Sequence, residues 1–487
     1  MKLSRLTDGL TVKERCGAGD PEISAVVYDA RQVREGSLFC TWKGLKTDGH
    51  AHVPEALQRG ASALIVEQAL PATSGCPWLQ VDSGRRALAT LAANFYGHPA
   101  KALDMIGITG TNGKTSSAYL LQYFLERSGT KSGLLGTVEY RAGRERIPSA
   151  RTTPESADLQ QILARMLEAG CGAAVMEVSS HALELERVHN IPFRAAIFTN
   201  LTRDHLDFHG TMEQYLAAKM RLFRGLAPGA LAVLNADDPA TDKIRECLAD
   251  GVRMVTFGFS TAADYRVEDL QCRADGSEFI LIGPSGRRRM WIPWVGKFNV
   301  CNAMGVLAML LARGADINVL AEGLAAAPSV PGRMQVVPHE GDFAVLVDYA
   351  HTDDAVSNVL HSLRPLCRGN LKVLIGCGGD RDRSKRPLMA RAACALADGV
   401  VFTSDNPRSE NPETILSEMT AAVADKQNYY VIADRRQAIK SILSNAAAGD
   451  VIVLAGKGHE ATQEVAGVCT RFSDVEVAQE LLHGGGR

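Results

Sequence analysis

Leu103-Asp104-Met105-Ile106-Gly107-Ile108-Thr109, running into Gly110-Thr111-Asn112-Gly113-Lys114-Thr115, is the stretch whose reading decides the fold. The first seven residues form an apolar run of strand length. Beyond the turn, Ala118, Leu121, Phe124 and Leu125 recur at helical spacing. A buried strand, a tight turn and a half-buried helix in that order leave backbone N–H groups and the positive end of the helix dipole facing outward together. Gly110 and Gly113 admit an anion close to the backbone, Lys114 reaches β and γ phosphates, and the Thr115 hydroxyl suits Mg²⁺. The general phosphate-loop pattern has a further glycine six residues before the lysine, where this chain has Ile108. The strict pattern therefore fails, and the strand–turn–helix context carries the reading. The competing reading is a glycine-rich turn bearing a solvated lysine.

Working outward, 487 residues exceed one ordinary domain and suggest about three. Lys plus Arg number 53 against 55 Asp plus Glu, a net charge of -2, so no global field recruits nucleic acid or an acidic membrane. The 11 cysteines include no Cys-x-x-Cys, which argues against a structural zinc site and against a disulfide framework. No signal-peptide core and no membrane-spanning run is present, so the expectation is a soluble cytoplasmic chain without membrane insertion.

Residues 1–98 read as a small α/β unit: strands at Val26-Val27-Tyr28 and Ala63-Leu64-Ile65-Val66-Glu67, helices over 53–59 and 85–96. Asp29, Arg31 and the loop Lys43-Gly44-Leu45-Lys46-Thr47-Asp48-Gly49 lie beside strand ends, where a ligand could dock or ordinary surface loops would suffice. Pro99 breaks the helix and sets the first boundary.

Residues 99–332 form the central segment. Ala173-Ala174-Val175-Met176-Glu177-Val178 is a buried strand type ending at an acid and followed by Ser179-Ser180-His181; ligands sit at such carboxyl ends of parallel sheets. Glu177 is a natural second ligand for a magnesium held by Thr115, with a plain surface glutamate as the alternative. The strand Ala195-Ala196-Ile197-Phe198-Thr199-Asn200 enters a loop rich in imidazoles and carboxylates, Arg203-Asp204-His205-Leu206-Asp207-Phe208-His209-Gly210, suggestive of a metal or phosphate site. Thr211 and Gln214 form a capping box, and the helix they start buries Tyr215, Leu216, Met220 and Phe223 with Lys219 inside the stripe. Lys219 either snorkels to solvent or, desolvated, stays partly neutral and able to add CO₂, giving carbamate oxygens for a second cation beside His205. Ala230 to Leu234 reads as another strand. Asn302 could read an adenine edge, and helix capping by Asn299 or Asn302 competes with that. Pro328-Ser329-Val330-Pro331-Gly332-Arg333 has linker composition and closes the segment.

In residues 333–487, four apolar runs each end in a polar loop. These are Val345-Leu346-Val347 before Asp348, Val373-Leu374-Ile375 before Gly376, Val400-Val401-Phe402 before Ser404-Asp405-Asn406-Pro407-Arg408, and Val451-Ile452-Val453-Leu454 before Gly456-Lys457-Gly458-His459-Glu460. Strands alternating with helices imply a mostly parallel, Rossmann-like sheet with these loops along one edge. Gly376, Gly378 and Gly379 lack the final glycine of a dinucleotide fingerprint, which discounts a nicotinamide cofactor. Arg381 and Arg408 beside Asp405, Asn406 and Glu460 suit a small zwitterion, or are solvated loop charges.

Together, Gly110-Thr111-Asn112-Gly113-Lys114-Thr115-Ser116, Met176-Glu177-Val178-Ser179-Ser180-His181, Asn200-Leu201-Thr202-Arg203-Asp204-His205-Leu206-Asp207 and Asp405-Asn406-Pro407-Arg408 closely resemble the Mur ligases, over all three segments in order. The resemblance implies an α/β chain of three domains: a small N-terminal domain for a uridine nucleotide, a central ATPase-like parallel sheet, and a C-terminal domain closing over amino acid and ATP. It implies ATP-dependent joining of meso-2,6-diaminopimelate to UDP-N-acetylmuramoyl-L-alanyl-D-glutamate (UDP-MurNAc-L-Ala-D-Glu), with Mg²⁺ as cofactor, by a monomer. Carried over by position, it implies catalysis by Lys114, Glu177, His205 and Lys219. One Mg²⁺ would sit on Thr115 and Glu177, a second on His205 and a carbamylated Lys219. ATP would meet Gly110 to Ser116, Asn302, Arg333 and Asp348. The sugar-peptide would meet Tyr28, Ala30, Leu45, Lys46, Thr47, Thr152, Thr153, Ser179 and Arg187, and diaminopimelate Arg381, Asp405, Asn406, Pro407, Arg408, Gly456 and Glu460. Ala30 stands where the family usually has serine, and Leu185 where it often has glutamine. A folylpolyglutamate-synthase-like ligase and a nonenzymatic nucleotide-binding subunit are the rival readings.

Overall fold

The computed structural model describes residues 1–44, 47–70, 75–273, 275–284 and 286–483. Leu45 and Lys46, two of the expected sugar-peptide contacts, lie outside the described residues.

Three sheets follow one another along the chain. The first has the order Glu14–Cys16, Trp78–Gln80, Ala61–Val66, Ser37–Cys40, Ala25–Val27 and is parallel except for its first strand. Ser37–Cys40 is buried on both faces, so it shows no period-two alternation and went unread in the sequence. The helix Gly84–Phe95 covers this sheet, with Ser83 Oγ accepting from Arg86 N at 3.3 Å as its cap. Tyr28 Oη donates to Asp158 Oδ2 at 2.7 Å, tying this unit to the helix Ser156–Glu168 of the next.

The second sheet has eleven strands. Seven are parallel, in the order Tyr265–Arg273, Arg253–Gly258, Leu231–Asn235, Ala195–Phe198, Asp104–Thr109, Ala173–Glu177, Ser132–Leu135. Antiparallel strands extend both edges: Gly276–Gly283 and Gly286–Ile292 on one side, Glu139–Ala142 and Glu145–Pro148 on the other. Asp104–Thr109 sits in the middle, with Thr109 opposite Phe198 and Ile108 opposite Glu177. That register delivers residues 110–115, 178–181 and 199–205 to one place. Alternation along the central strand splits the core: Ile106 and Ile108 pack under the helices Lys114–Arg127 and Lys297–Ala312, while Met105 faces Leu163, Leu216 and Phe223 on the other side.

The helix after the histidine-rich loop, Met212–Arg224, begins at Thr211, whose Oγ1 accepts from Gln214 N at 3.2 Å. Only this half of the expected capping box is present, because Thr211 N is taken by His209 O. The buried stripe is Tyr215, Leu216, Ala218, Lys219, Leu222 and Phe223; Met220, expected in it, is only half-buried, since position 222 rather than 220 completes the face.

The third sheet has the order Gln335–Val336, Ala344–Asp348, Val451–Ala455, Leu371–Ile375, Gly399–Phe402, Tyr429–Val431, parallel except for the two-residue edge. Below its carboxyl edge lies a fully buried ion pair. Arg435 Nε and Nη2 donate to Asp474 at 2.8 and 2.6 Å, Nη2 also to Ala455 O at 2.9 Å, and Nη1 to Ser404 O at 3.3 Å. A short two-stranded ribbon, Thr462–Val465 with Val468–Arg471, stands apart from the sheet. Among the described residues no helix is long and apolar enough to cross a membrane.

Candidate active site

A cavity of about 1300 Å³ opens between the carboxyl edges of the second and third sheets. Its floor is the turn 110–115. Gly110 has φ +152° and Gly113 φ +85°, and a Cβ on Gly113 would collide with the Asn302 carboxamide. Asn302 is therefore held against the turn. It lies well inside the helix Lys297–Ala312, so capping does not explain it; Asn299, one turn earlier, donates to Val295 O at 2.9 Å. Lys114 Nζ donates to Gly110 O at 3.0 Å and Thr111 O at 2.8 Å. Burial lowers its pKa, against the pull of Glu177 and Asp204.

Glu177 is the pivot of the floor and fully buried. Its Oε2 accepts from Thr115 Oγ1 at 2.9 Å and Thr137 Oγ1 at 3.0 Å, and its Oε1 from Thr137 N at 2.9 Å. Thr115 Oγ1 in turn accepts from Arg333 Nη2 at 3.0 Å. A carboxylate and a hydroxyl side by side at the foot of a phosphate turn are the hard oxygen donors that Mg²⁺ takes while keeping phosphate and water for its other positions.

The second expected cation set is less complete. His205 adopts a left-handed backbone (φ +53°), and its Nε2 lies 3.4 Å from Asp204 Oδ2. Burial depresses its pKa to about 2 despite Asp204, so the ring is neutral and keeps a lone pair. Lys219 is 1% exposed, which excludes snorkelling. Its Nζ donates to Gly110 O at 2.8 Å and lies 4.3 Å from the Tyr215 ring centroid. Burial, reinforced by the nearby Lys114 charge, holds this amine well below the ordinary lysine range. As a free amine it gives Gly110 O a hydrogen bond and brings no oxygen to a cation beside His205. Among the described residues no group of three or more His, Cys, Asp and Glu is placed to hold a metal ion.

The opposite wall comes from the third sheet. Asp348 receives Met334 N at 2.7 Å and Ala350 N at 2.8 Å, and burial raises its pKa. Asn406 Nδ2 donates to Glu460 Oε2 at 2.7 Å; the buried Lys457 Nζ donates to Asn406 Oδ1 at 3.1 Å and Glu460 Oε2 at 3.2 Å. Glu460 is pushed up by burial and by Asp405. Arg408, also left-handed (φ +54°), donates from Nη1 to Gly379 O at 2.7 Å, while Arg381 is exposed at the rim. Arg381, Asp405, Arg408, Gly456 and Glu460 all line the cavity; Asn406 and Pro407 stand behind them.

The expected sugar-peptide residues divide. Thr152 and Ser179 line the cavity. Thr153 and Arg187 are buried behind it, Thr153 Oγ1 donating to Glu177 O at 2.8 Å and Arg187 pairing with Glu155 at 2.9 Å and donating to Thr153 O at 3.2 Å. Tyr28 is engaged with Asp158, Ala30 is buried in an apolar cluster with Val33 and Phe39, and Thr47 is exposed on the first unit. None of these three lines the cavity.

Several residues that the sequence did not single out join the two walls. Lys385 Nζ pairs with Asp204 Oδ1, and Asp354 Oδ2 accepts from Asn112 Nδ2 at 2.9 Å and Thr202 Oγ1 at 3.2 Å. Burial alone would raise the Asp204 pKa, but the Lys385 ammonium paired with it helps to keep the carboxyl well below its usual range. Asp204 stood in plain view within the histidine-rich loop; Lys385 and Asp354 carry no local signal, because their partners are more than 150 positions away.

Burial also lowers His181, His209 and His459, each to about 4. A histidine held neutral binds its proton less tightly folded than unfolded. Its contribution is complete above the unfolded value of about 6.5 and is lost as pH falls toward 4. Each therefore lowers the unfolding free energy by up to about 1.4 kcal/mol per pH unit across that window. Urea unfolding at pH 7 and pH 5 checks this, with His209→Gln expected to flatten the dependence by one histidine's share and an unchanged slope counting against it.

Three family models match consecutive parts of the chain: Mur ligase family, catalytic domain, at residues 22–96; Mur ligase middle domain at 108–310; and Mur ligase, glutamate ligase domain, at 332–458. UDP-N-acetylmuramoyl-L-alanyl-D-glutamate--2,6-diaminopimelate ligase of Bacillus licheniformis is 42% identical over 489 residues, covering 99% of each chain. The enzyme of the same name from Geobacillus kaustophilus is 43% identical over 95% of this chain and 96% of its own. A solved structure of that name is 33% identical, with TM-score 0.67 over 96% of both chains. MurF of Acinetobacter baumannii, at 20% identity and TM-score 0.67 over 93% and 95%, shares the fold.

Proposed function

The chain belongs to the Mur ligase family, and from that premise we propose that it is an ADP-forming ligase joining meso-2,6-diaminopimelate to UDP-MurNAc-L-Ala-D-Glu, in peptidoglycan precursor synthesis. The observation that carries the reading is the convergence, across one cavity, of a phosphate cradle with Glu177 at its foot and a wall of paired carboxylates and guanidinium groups.

The chemistry follows from that convergence. ATP lies along the turn 110–116, its γ phosphate toward Lys114 and its base toward Asn302; Arg333, stacked 4.4 Å above the Tyr349 ring, and Asp348 anchor the far side. Mg²⁺ on Thr115 and Glu177, and a second cation beside His205, would neutralise phosphate charge; Lys219, once carbamylated, supplies the oxygens its free amine lacks. The D-glutamyl carboxylate attacks the γ phosphorus and ADP leaves, giving an acyl phosphate. The diaminopimelate amine then adds to the acyl carbon, and phosphate departs from the tetrahedral intermediate as the amide forms. Asp405 and Glu460 hold ammonium while Arg408 and Arg381 hold carboxylate, and a bidentate arginine fork distinguishes diaminopimelate from lysine by its distal carboxylate. Contacts such as Lys385 with Asp204 keep the walls together and water out. Thr152 and Ser179 meet the incoming peptide; Tyr28, Ala30, Thr47, Thr153 and Arg187 shape its approach. We place the chain in the cytoplasm as a monomer.

Phosphate release with ATP, Mg²⁺ and UDP-MurNAc-L-Ala-D-Glu tests the reading. Release is expected with meso-diaminopimelate and at least ten times less with lysine. Release with neither, or with a folate acceptor instead, overturns it.

A further inference from the structure

The loop 405–408 is held on its inner side by Gly379 N, which donates to Asn406 O at 2.9 Å, and by Lys457 and Glu460, which meet the Asn406 carboxamide. Its outward side is tied, nearly residue by residue, to the first strand of the ribbon Thr462–Val465 with Val468–Arg471. Gln463 Nε2 donates to Asp405 O at 2.8 Å, and Glu464 N donates to Asn406 Oδ1 at 3.1 Å. Arg408 N donates to Glu464 O at 3.1 Å, and Ala466 N donates to Arg408 O at 2.7 Å. Both backbone groups of Arg408 therefore end on the ribbon. Arg408 is the residue of this loop with a left-handed backbone (φ +54°), a conformation that a side chain as large as arginine keeps only where its surroundings fix it. The Glu464 carboxylate also stands 3.9 Å from Arg408 Nε.

The ribbon itself does little else. Thr470, Val468 and Cys469 are exposed, as are Val465 and Ala466 at its turn, and the ribbon contributes no residue to the buried core of the domain. An element with so little buried surface is poorly explained as a stability device. Apart from Arg471, which pairs with Glu476 at 2.9 Å, its outward side-chain hydrogen bonds go to the loop 405–408.

We propose that the ribbon Thr462–Arg471 is the specificity-setting element of the acceptor site: by clamping Arg408 in its left-handed conformation it aims the guanidinium at the distal carboxylate of the amino acid. The inference rests on the functional reading above. Arg408 touches substrate; Gln463, Glu464 and Ala466 are positioning residues that act through it.

Two variants test it: Gln463→Ala, and a shortened ribbon in which residues 463–470 are replaced by a glycine-serine link. In the shortened form KM for meso-diaminopimelate rises at least tenfold and the preference over lysine falls by a similar factor, while KM for ATP and the melting temperature stay at wild-type values. Gln463→Ala, losing one bond of four, moves the same two quantities in the same direction by about threefold. Amide hydrogen exchange over residues 404–410 reads the clamp without any substrate, and the shortened form is expected to exchange at least ten times faster there than wild type. Unchanged exchange overturns the proposal, as does an unchanged preference for meso-diaminopimelate or an equal rise in every KM. A wild-type chain that ligates no diaminopimelate overturns the functional reading instead, and the exchange result still decides whether the ribbon holds the loop.

Discussion

Lys114→Met lowers kcat for ligation by about a thousandfold, the upper range for loss of one preorganised group at a site of developing charge. Lys114 sits where the argument for charge stabilisation is strongest. Its ammonium is fixed by the carbonyls of Gly110 and Thr111, at the N-terminus of the helix Lys114–Arg127, with the fully buried Glu177 nearby. A charge held in place this way needs no reorganisation as the γ phosphate moves to the carboxylate, and it counts for more as closure excludes water. Methionine keeps the volume and the apolar stem, and Gly110 O keeps its bond from Lys219 Nζ at 2.8 Å, so the fold is expected to survive. KM for diaminopimelate stays within a few-fold, since that acceptor meets the other wall. Quenched-flow phosphate release together with product mass checks both halves; a fall in kcat of less than tenfold would show that the turn does not cradle the reacting phosphate.

Gly332→Ala has the second largest effect, about a hundredfold in kcat, without touching a group that reacts. Gly332 has φ +63°, and a Cβ there would overlap His459 N and Gly458 C and lie 2.8 Å from Gly458 Cα. Every colliding atom is backbone, so no rotamer change relieves the clash. The alanine costs about 1–2 kcal/mol for the left-handed conformation and about 1–3 kcal/mol for overpacking. It pushes apart the segment carrying Arg333 and the loop that presents Gly456 and Glu460. A displacement near 1 Å is enough for the stated loss. KM for ATP and for diaminopimelate rise together, because one crossing positions both. Gly314→Ala is the control: φ is +92° with nothing within 4 Å of the added Cβ, so it pays the conformational cost alone and keeps its activity. Equal losses in the two variants would refute the crossing.

Much of the phosphate side was legible because its signals are local. The strand Asp104–Thr109, the turn, the helix, and the acid ending Ala173–Glu177 follow one another in patterns of apolar period and glycine placement. Lys219 announced itself through its position in an apolar stripe, and its burial follows from that position. The stripe's own membership was harder: Met220 and Leu222 are both apolar and both pack on the same core, Leu222 fully buried and Met220 only partly. The strand Gly286–Ile292 and the ribbon at 462–471 escaped notice because exposed polar strands carry little apolar alternation, whereas Gly276–Gly283 was passed over although Phe279 and Leu281 alternate into the core. Asp354 and Lys385 were invisible for another reason. A residue whose role is to meet a different domain looks, in sequence, like any helix-start acid or surface lysine.

The buried pair of Arg435 and Asp474 has a consequence for how the third sheet comes into being. The guanidinium is threaded between Ser404 O and Ala455 O, so the strands Gly399–Phe402 and Val451–Ala455 cannot close over it until its counter-charge arrives. Asp474 lies 39 positions further along the chain. A nascent domain that has made every strand but not yet residue 474 faces an uncompensated interior cation, a penalty of about 3–5 kcal/mol. Synthesis thus carries an internal checkpoint: the amino-acid-binding loops stay unset until the helix that ends the domain has emerged and docked.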